Sequence, residues 1–282
     1  MKEYKIGLYE KAMPNTLTWR EKMLTAKAAG YDFIEISIDE TDEKLARLEW
    51  SAKERAQFVA LMEETGMPVR SMCLSGHRKY PIGSADEATR ARGMEIMEKA
   101  LQFSDDLGIR IIQLAGYDVY YEESTEETRA LFAQNLKKCA EMAAKYGIQM
   151  GFETMETEFM NTVEKSMRFV KAVDSPYLHV YPDLGNITNA AKTYGTDVLE
   201  DLETGRGRLV AMHLKETVPG VFREVPFFTG HVDFRAGIRK AHELGVRRYV
   251  TEFWYTGEEN WNEIVNDACA SMRKIIEEVT QD

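Results

Sequence analysis

The chain has little cysteine, little histidine and an excess of acid over base, and each shortage removes a class of protein. Its 282 residues include three cysteines, Cys73, Cys139 and Cys269, with no short spacing between them. That pattern is neither a disulfide framework nor a cysteine zinc site, and it fits a reducing compartment. Lysine and arginine total 36 against 47 aspartates and glutamates, a net charge of −11. Nucleic acid and anionic membranes both need a basic footprint, so neither is an expected partner. A small anionic ligand needs only a local basic pocket and stays open. No apolar run approaches the ~18 residues of a membrane span, and Met1 to Glu10 lacks a signal-peptide pattern. A cytoplasmic location is the expectation. The first strand-to-helix turn, Tyr9-Glu-Lys-Ala-Met-Pro14, contains no Gly-x-Gly-x-x-Gly, which argues against a dinucleotide site, and no organic cofactor is expected.

What is present is a globular composition, 44% hydrophobic and 29% charged, organised as one repeating unit. A helical pattern ends in glycine, and a short β-rich run follows at once. The junctions are Gly30, Gly66, Gly108, Gly147 and Gly245. Glycine just past a helix closes the last turn in the left-handed conformation, so these read as repeated αβ units on a parallel sheet. Three less punctuated runs, Tyr4 to Tyr9, Leu178 to Pro182 and Leu209 to Leu214, raise the count to eight strands. Their C-terminal ends fall near residues 9, 38, 74, 115, 153, 182, 214 and 252. Helix starts read as capping boxes at Thr18-Trp-Arg-Glu21, Ser51-Ala-Lys-Glu54 and Ser124-Thr-Glu-Glu127. Leu136, Cys139, Ala140 and Ala143, and likewise Val265, Ala268, Met272 and Ile276, form helical stripes expected in the core. Eight such units close most economically into a (β/α)8 barrel, one domain over residues 1–282; an open doubly wound sheet is the alternative.

Barrel chemistry collects at the C-terminal strand ends. Strand five ends in Glu153, strand six in Asp183, strand seven in His213 and strand eight in Glu252. A single acidic strand end is ordinarily a solvated rim group. Three carboxylates converging from successive strands repel one another unless a cation lies between them. Oxygen and nitrogen donors without thiolate suit Mn²⁺, Mg²⁺, Zn²⁺ or Co²⁺. His179 reads as a satisfied barrel histidine, His242 as a solvated helix residue and Asp233 as an N-cap, while His231 is left without a role. A second constellation is basic: Lys11 after strand one and His77-Arg78-Lys79 after strand three, donors of the kind a phosphate requires.

Tyr9-Glu-Lys-Ala, Ser71-Met-Cys-Leu-Ser75, Ile112-Gln-Leu-Ala-Gly-Tyr-Asp118, Tyr181-Pro-Asp-Leu-Gly-Asn186, His213-Leu-Lys and Gly220-Val-Phe-Arg-Glu-Val-Pro226 resemble the L-ribulose-5-phosphate 3-epimerase family of sugar isomerase/epimerase barrels. The resemblance covers nearly the whole chain. It implies a metal-dependent barrel acting on a ketopentose 5-phosphate, with one divalent ion (Mn, Zn or Mg) on Glu153, Asp183, His213 and Glu252, and with Glu153 and Glu252 as the acid/base pair. Lys11, His77, Arg78, Asn186 and Arg223 are the candidate phosphate and substrate contacts. Related epimerases of free sugars carry histidine where this chain has Asn186, which resembles the phosphate-using branch. Phe228 and Thr229 depart from the family pattern, so contacts in the 226–233 loop do not carry over. A homodimer is implied by resemblance alone. The alternatives are another ketose or ketose-phosphate epimerase and an aldose–ketose isomerase on the same metal site. A DNA-repair endonuclease needs several zinc ions, and five histidines with a charge of −11 disfavour it.

Overall fold

The protein, in a computed structural model that describes residues 3–280, folds as eight parallel strands each followed by helix. The strands are β1 Lys5–Tyr9, β2 Phe33–Ile38, β3 Val69–Leu74, β4 Ile111–Ala115, β5 Gln149–Glu153, β6 Leu178–Tyr181, β7 Met212–Leu214 and β8 Arg248–Thr251. The helices are α1 Trp19–Ala28, α2 Asp42–Leu45, α3 Ala52–Thr65, α4 Glu87–Leu107, α5 Glu126–Tyr146, α6 Val163–Val173, α7 Leu184–Tyr194, α8 Val198–Thr204, α9 Phe234–Glu243 and α10 Trp261–Thr280. Parallel pairing runs unbroken in the order β6-β5-β4-β3-β2-β1-β8-β7. The remaining seam between β6 and β7 is closed by parallel bridges at Val180–Leu209 and Asp183–His213. The eight units therefore form one barrel, as the repeat implies.

Strand periodicity sorts the side chains into two layers. On β2, Ile34, Ile36 and Ile38 point outward into the large core between barrel and helices, with the Leu136 and Val265 stripes buried against that layer. Tyr9, Phe33, Cys73, Ile111, Tyr181, Ala211 and Val250 make a smaller cluster inside the barrel. Above it on the same inward face stand the polar residues that matter below.

All five junction glycines have positive φ, between 62° and 94°, so the helix-to-strand turns form as read. Thr18 and Ser51 make the expected capping boxes. The third box shifts by one residue: Thr125 caps α5 with Thr128 as its partner. The cause is Asp118, whose Oδ2 accepts from Ser124 Oγ and from Thr128 Oγ1, each at 2.7 Å, drawing Ser124 away from the helix end. Strand seven is also shorter than read, because Leu209 makes only an isolated bridge before β7 begins at Met212.

Candidate active site

Four strand ends meet at one point. Ligand-type atoms of Glu153, Asp183, His213 and Glu252 all lie within 4.8 Å of one another, and all four residues are buried. His213 Nδ1 sits 3.2 Å from Glu153 Oε1, 3.3 Å from Glu252 Oε2 and 4.0 Å from Asp183 Oδ2. Each group is held by its own element. Asp183 is the N-cap of α7, so Oδ1 accepts the Asn186 backbone N–H at 2.7 Å, leaving Oδ2 to face the cage. Glu153 Oε2 accepts from the Gln113 amide on β4. Gly151 lets β5 approach β6, because a Cβ there would stand 2.8 Å from Val210 Cγ1 and 3.0 Å from Tyr181 Cβ.

The electrostatics report a shortage of positive charge. Burial and the neighbouring Glu252 raise Glu153, and burial pushes Asp183 up to about 8 although Lys215 pulls it down. Burial would raise Glu252 too, but Lys215 and His213 hold it well below the ordinary range. His213 is raised against its own burial by Glu252 and Glu35. Asp183 Oδ2 and Glu252 Oε2 accept no hydrogen bond of good geometry among the described residues; their nearest cation is Lys215 Nζ, at 2.8 and 3.4 Å. Two buried carboxylate oxygens without a proper donor, beside an imidazole nitrogen, fit a divalent cation with oxygen and nitrogen ligands.

The pocket above the cage is lined by Tyr9, Lys11, Cys73, Arg78, Glu156, Asn186, Lys215, Phe222, Arg223 and Trp254 together with Glu153 and Glu252. Lys11, Arg78, Asn186 and Arg223 thus line one pocket. Lys11 is ion-paired with Asp39 at 2.5 Å. Arg78 stacks on Tyr120, 4.9 Å from the ring centroid, and Arg223 lies 5.7 Å from that of Trp254. His77 is not brought to the pocket. Its ring is buried, Nε2 meets the Gly93 carbonyl at 3.1 Å, and burial pushes its pKa down to about 4, so it is uncharged near neutral pH and braces α4 instead. His179 bonds the Pro176 carbonyl, Asp233 caps α9, and His231 pairs with Thr217 Oγ1. His242 is half-buried, with no partner for Nδ1 among the described residues, not solvated.

Sequence reasoning passed over Glu35, Gln113 and Lys215. Glu35 had a visible signal: in Ile34-Glu-Ile-Ser-Ile38 a carboxylate alternates with isoleucine, and period-two alternation puts it inside the barrel. Gln113 repeats the pattern in Ile112-Gln-Leu114. A larger cleft of about 410 Å³, between residues 224–228 and α10, carries Glu224, Glu258 and Asp267 as its ionisable groups and shares Trp254 with the pocket above the cage.

Fold and site together define a (β/α)8 barrel with a candidate divalent-metal centre under a cationic mouth. A family model described as xylose isomerase-like TIM barrel matches residues 24–275. The chain is 44% identical over 260 residues to the L-ribulose-5-phosphate 3-epimerase UlaE of Salmonella paratyphi A, covering 92% of this chain and 90% of that one. It is 43% identical over 276 residues to the protein of the same name from Escherichia coli O139:H28, covering 97% and 93%. Among solved structures, a D-psicose 3-epimerase crystallised in the presence of D-fructose superposes with a TM-score of 0.79 at 18% identity, covering 96% of this chain and 99% of that one, a likeness of fold. The chain belongs to the L-ribulose-5-phosphate 3-epimerase family of xylose isomerase-like TIM barrels and is an isomerase of the carbohydrate epimerase class.

Proposed function

We propose that the protein interconverts L-ribulose 5-phosphate and L-xylulose 5-phosphate by moving the proton at C3. The observation that carries this is the pairing of two glutamates from β5 and the end of β8 around one cage, under a mouth lined by Lys11, Arg78 and Arg223. A C–H alpha to a ketone is far less acidic than a carboxylic acid of pKa ~4, so a carboxylate alone is too weak a base. Glu153, Asp183, His213 Nδ1 and Glu252 would hold a divalent ion, which would supply Lewis acidity to the substrate oxygens, worth several kcal/mol. Mn²⁺, Zn²⁺ and Mg²⁺ all suit this donor set.

The remaining work falls to the chain. One of Glu153 and Glu252 takes the C3 proton as a carboxylate, and the other, as the acid, returns a proton to the opposite face of the enediolate. Turnover in reverse, or exchange with solvent, resets the pair. Arg78 and Arg223 are the groups for the phosphate, Lys11 and Asn186 for substrate oxygens, and Trp254 and Phe222 exclude water. His77 is not among the phosphate ligands. The protein works as a homodimer in the cytoplasm on this reading, whose support there is the resemblance and the three free, buried cysteines.

The test is incubation of the manganese-loaded protein with L-ribulose 5-phosphate in deuterium oxide. L-xylulose 5-phosphate carrying deuterium at C3 is the expected product. An aldose with label at C2 would instead make the protein an aldose–ketose isomerase, and no exchange at either carbon would remove the catalytic reading.

A further inference from the structure

Glu35 stands inside the barrel on β2, fully buried and away from the mouth. Both its oxygens are used. Oε2 accepts from Ser71 Oγ on β3 at 2.7 Å and from the Tyr181 hydroxyl on β6 at 2.9 Å. Oε1 is 2.6 Å from His213 Nε2 on β7. One carboxylate therefore ties three other strands together across the barrel interior, and β2 is not a neighbour of β6 or β7 in the sheet. A buried carboxylate receiving two hydroxyl donors acts as an acceptor toward the imidazole as well, so Nε2 carries a hydrogen. With a divalent ion in the cage the imidazole would be neutral with one N–H, and placing it on Nε2 would leave the Nδ1 lone pair for the ion between Glu153, Asp183 and Glu252. The Tyr181 ring fixes the imidazole plane too, with centroids 4.7 Å apart at 61°.

We propose that Glu35 is a positioning residue for the cage, holding His213 as the Nε2–H tautomer with Nδ1 aimed at the cation. Carboxylate–histidine pairs of this kind raise the basicity of the ligating nitrogen and fix its direction, and losing the outer partner typically weakens metal affinity 10–100-fold. Tyr181 and Ser71 act one step further out, fixing the carboxylate itself. The inference rests on the metal reading of the cage above, and its test separates the two.

The experiment titrates chelator-stripped protein with Mn²⁺ alone by calorimetry, comparing the natural chain with Glu35→Gln, and follows melting in chelator and in excess Mn²⁺. Glu35→Gln keeps the side-chain length but removes the charge and one acceptor. The expected result is a Kd raised 10–100-fold, with most of the lost melting temperature appearing only when Mn²⁺ is present. A merely structural strut would lower the melting temperature equally in chelator and in Mn²⁺ and leave Kd within twofold, and that result overturns the proposal. If Glu35→Gln does not fold, the double variant Ser71→Ala, Tyr181→Phe is measured in its place. It releases Glu35 Oε2 without removing the charge, and a Kd within twofold of the natural chain again overturns the proposal, whereas a severalfold rise upholds it. Absence of Mn²⁺ binding by the natural chain sinks the metal reading and this inference with it; binding that ignores Glu35 sinks the inference alone.

Discussion

Glu10 is a carboxylate with no access to water, placed just past β1 among three buried cations. Lys44 Nζ and Arg47 Nη1 each lie 2.6 Å from its oxygens, Lys22 Nζ is 3.6 Å away, and the Ser37 N–H donates at 2.8 Å. Burial alone would raise its pKa, but Arg47, Lys44 and Lys22 bring it from 4.5 down to about 2. A carboxyl lowered on folding stabilises the native state in full above its unfolded pKa. That contribution, of the order of 3 kcal/mol, is lost as pH falls from about 4.5 to about 2. Glu10→Gln leaves three cations buried without their counter-charge and is expected to cost about 3–5 kcal/mol at neutral pH. Chemical denaturation at pH 7 and pH 3 checks both, and the gap between the two proteins should narrow at the lower pH. At the reacting centre, Glu153→Gln and Glu252→Gln are each expected to nearly abolish C3 proton exchange while the circular dichroism spectrum stays that of the natural chain. Full activity in either variant defeats the two-carboxylate scheme. Arg78→Gln is expected to raise KM for the ketopentose 5-phosphate by about tenfold or more, the worth of one charge-assisted contact, and to leave turnover of the unphosphorylated ketopentose unchanged.

Among the elements, the segment from Lys215 to Asp233 is held at Glu216 and at Asn189 of α7, whose Oδ1 accepts the Gly220 N–H at 3.1 Å and whose amide donates to the Val221 carbonyl at 3.3 Å. The Glu216 carboxylate, buried at the end of β7, accepts backbone N–H groups of Thr217, Phe228 and Val232 at 3.0, 2.9 and 3.1 Å. It holds Phe228 at a φ of 66°, left-handed backbone that a phenylalanine adopts at a cost of about 1–3 kcal/mol. Gly230 packs on the same carboxylate, where a Cβ would stand 2.4 Å from Oε1. Phe222 and Arg223 of this segment stand in the wall of the active-site pocket, whose free volume is about 50 Å³, room for a few waters. Glu216→Ala removes the first of these anchors. Faster proteolytic nicking between residues 217 and 232 is expected, with kcat/KM down about tenfold and a melting temperature lower by a few degrees, because solvent can satisfy the freed N–H groups. Unchanged proteolysis would show that the Asn189 contacts hold the segment without Glu216.

For the whole molecule, removal of the proposed cation is the test with the widest reach. If the site joining β5, β6, β7 and β8 takes a divalent ion as proposed, binding is coupled to barrel closure, since the unfolded chain cannot assemble it. At a free metal concentration a hundred times Kd the gain is about 2.7 kcal/mol, several degrees of melting temperature, and chelation should reverse it. Among the described residues no helix is long and apolar enough to cross a membrane. The repeat of helix, glycine and strand was legible because each unit obeys local rules: a left-handed turn at Gly66 or Gly147, a cap at Thr18 or Ser51, alternation along β2. Strand parity likewise set which residues face the barrel interior, and chain order alone put Glu153, Asp183, His213 and Glu252 at four consecutive strand ends. What the linear order could not carry is which inward groups touch. His77 and Arg78 are neighbours in sequence, yet one turns under α4 to a carbonyl and the other stacks over tyrosines at the mouth. Glu35 and His213 are 178 residues apart and share a hydrogen bond across the lumen. Local propensity fixes the conformation of each unit and the face each side chain takes. Distances across the barrel depend on strand tilt and closure, which belong to all eight strands at once.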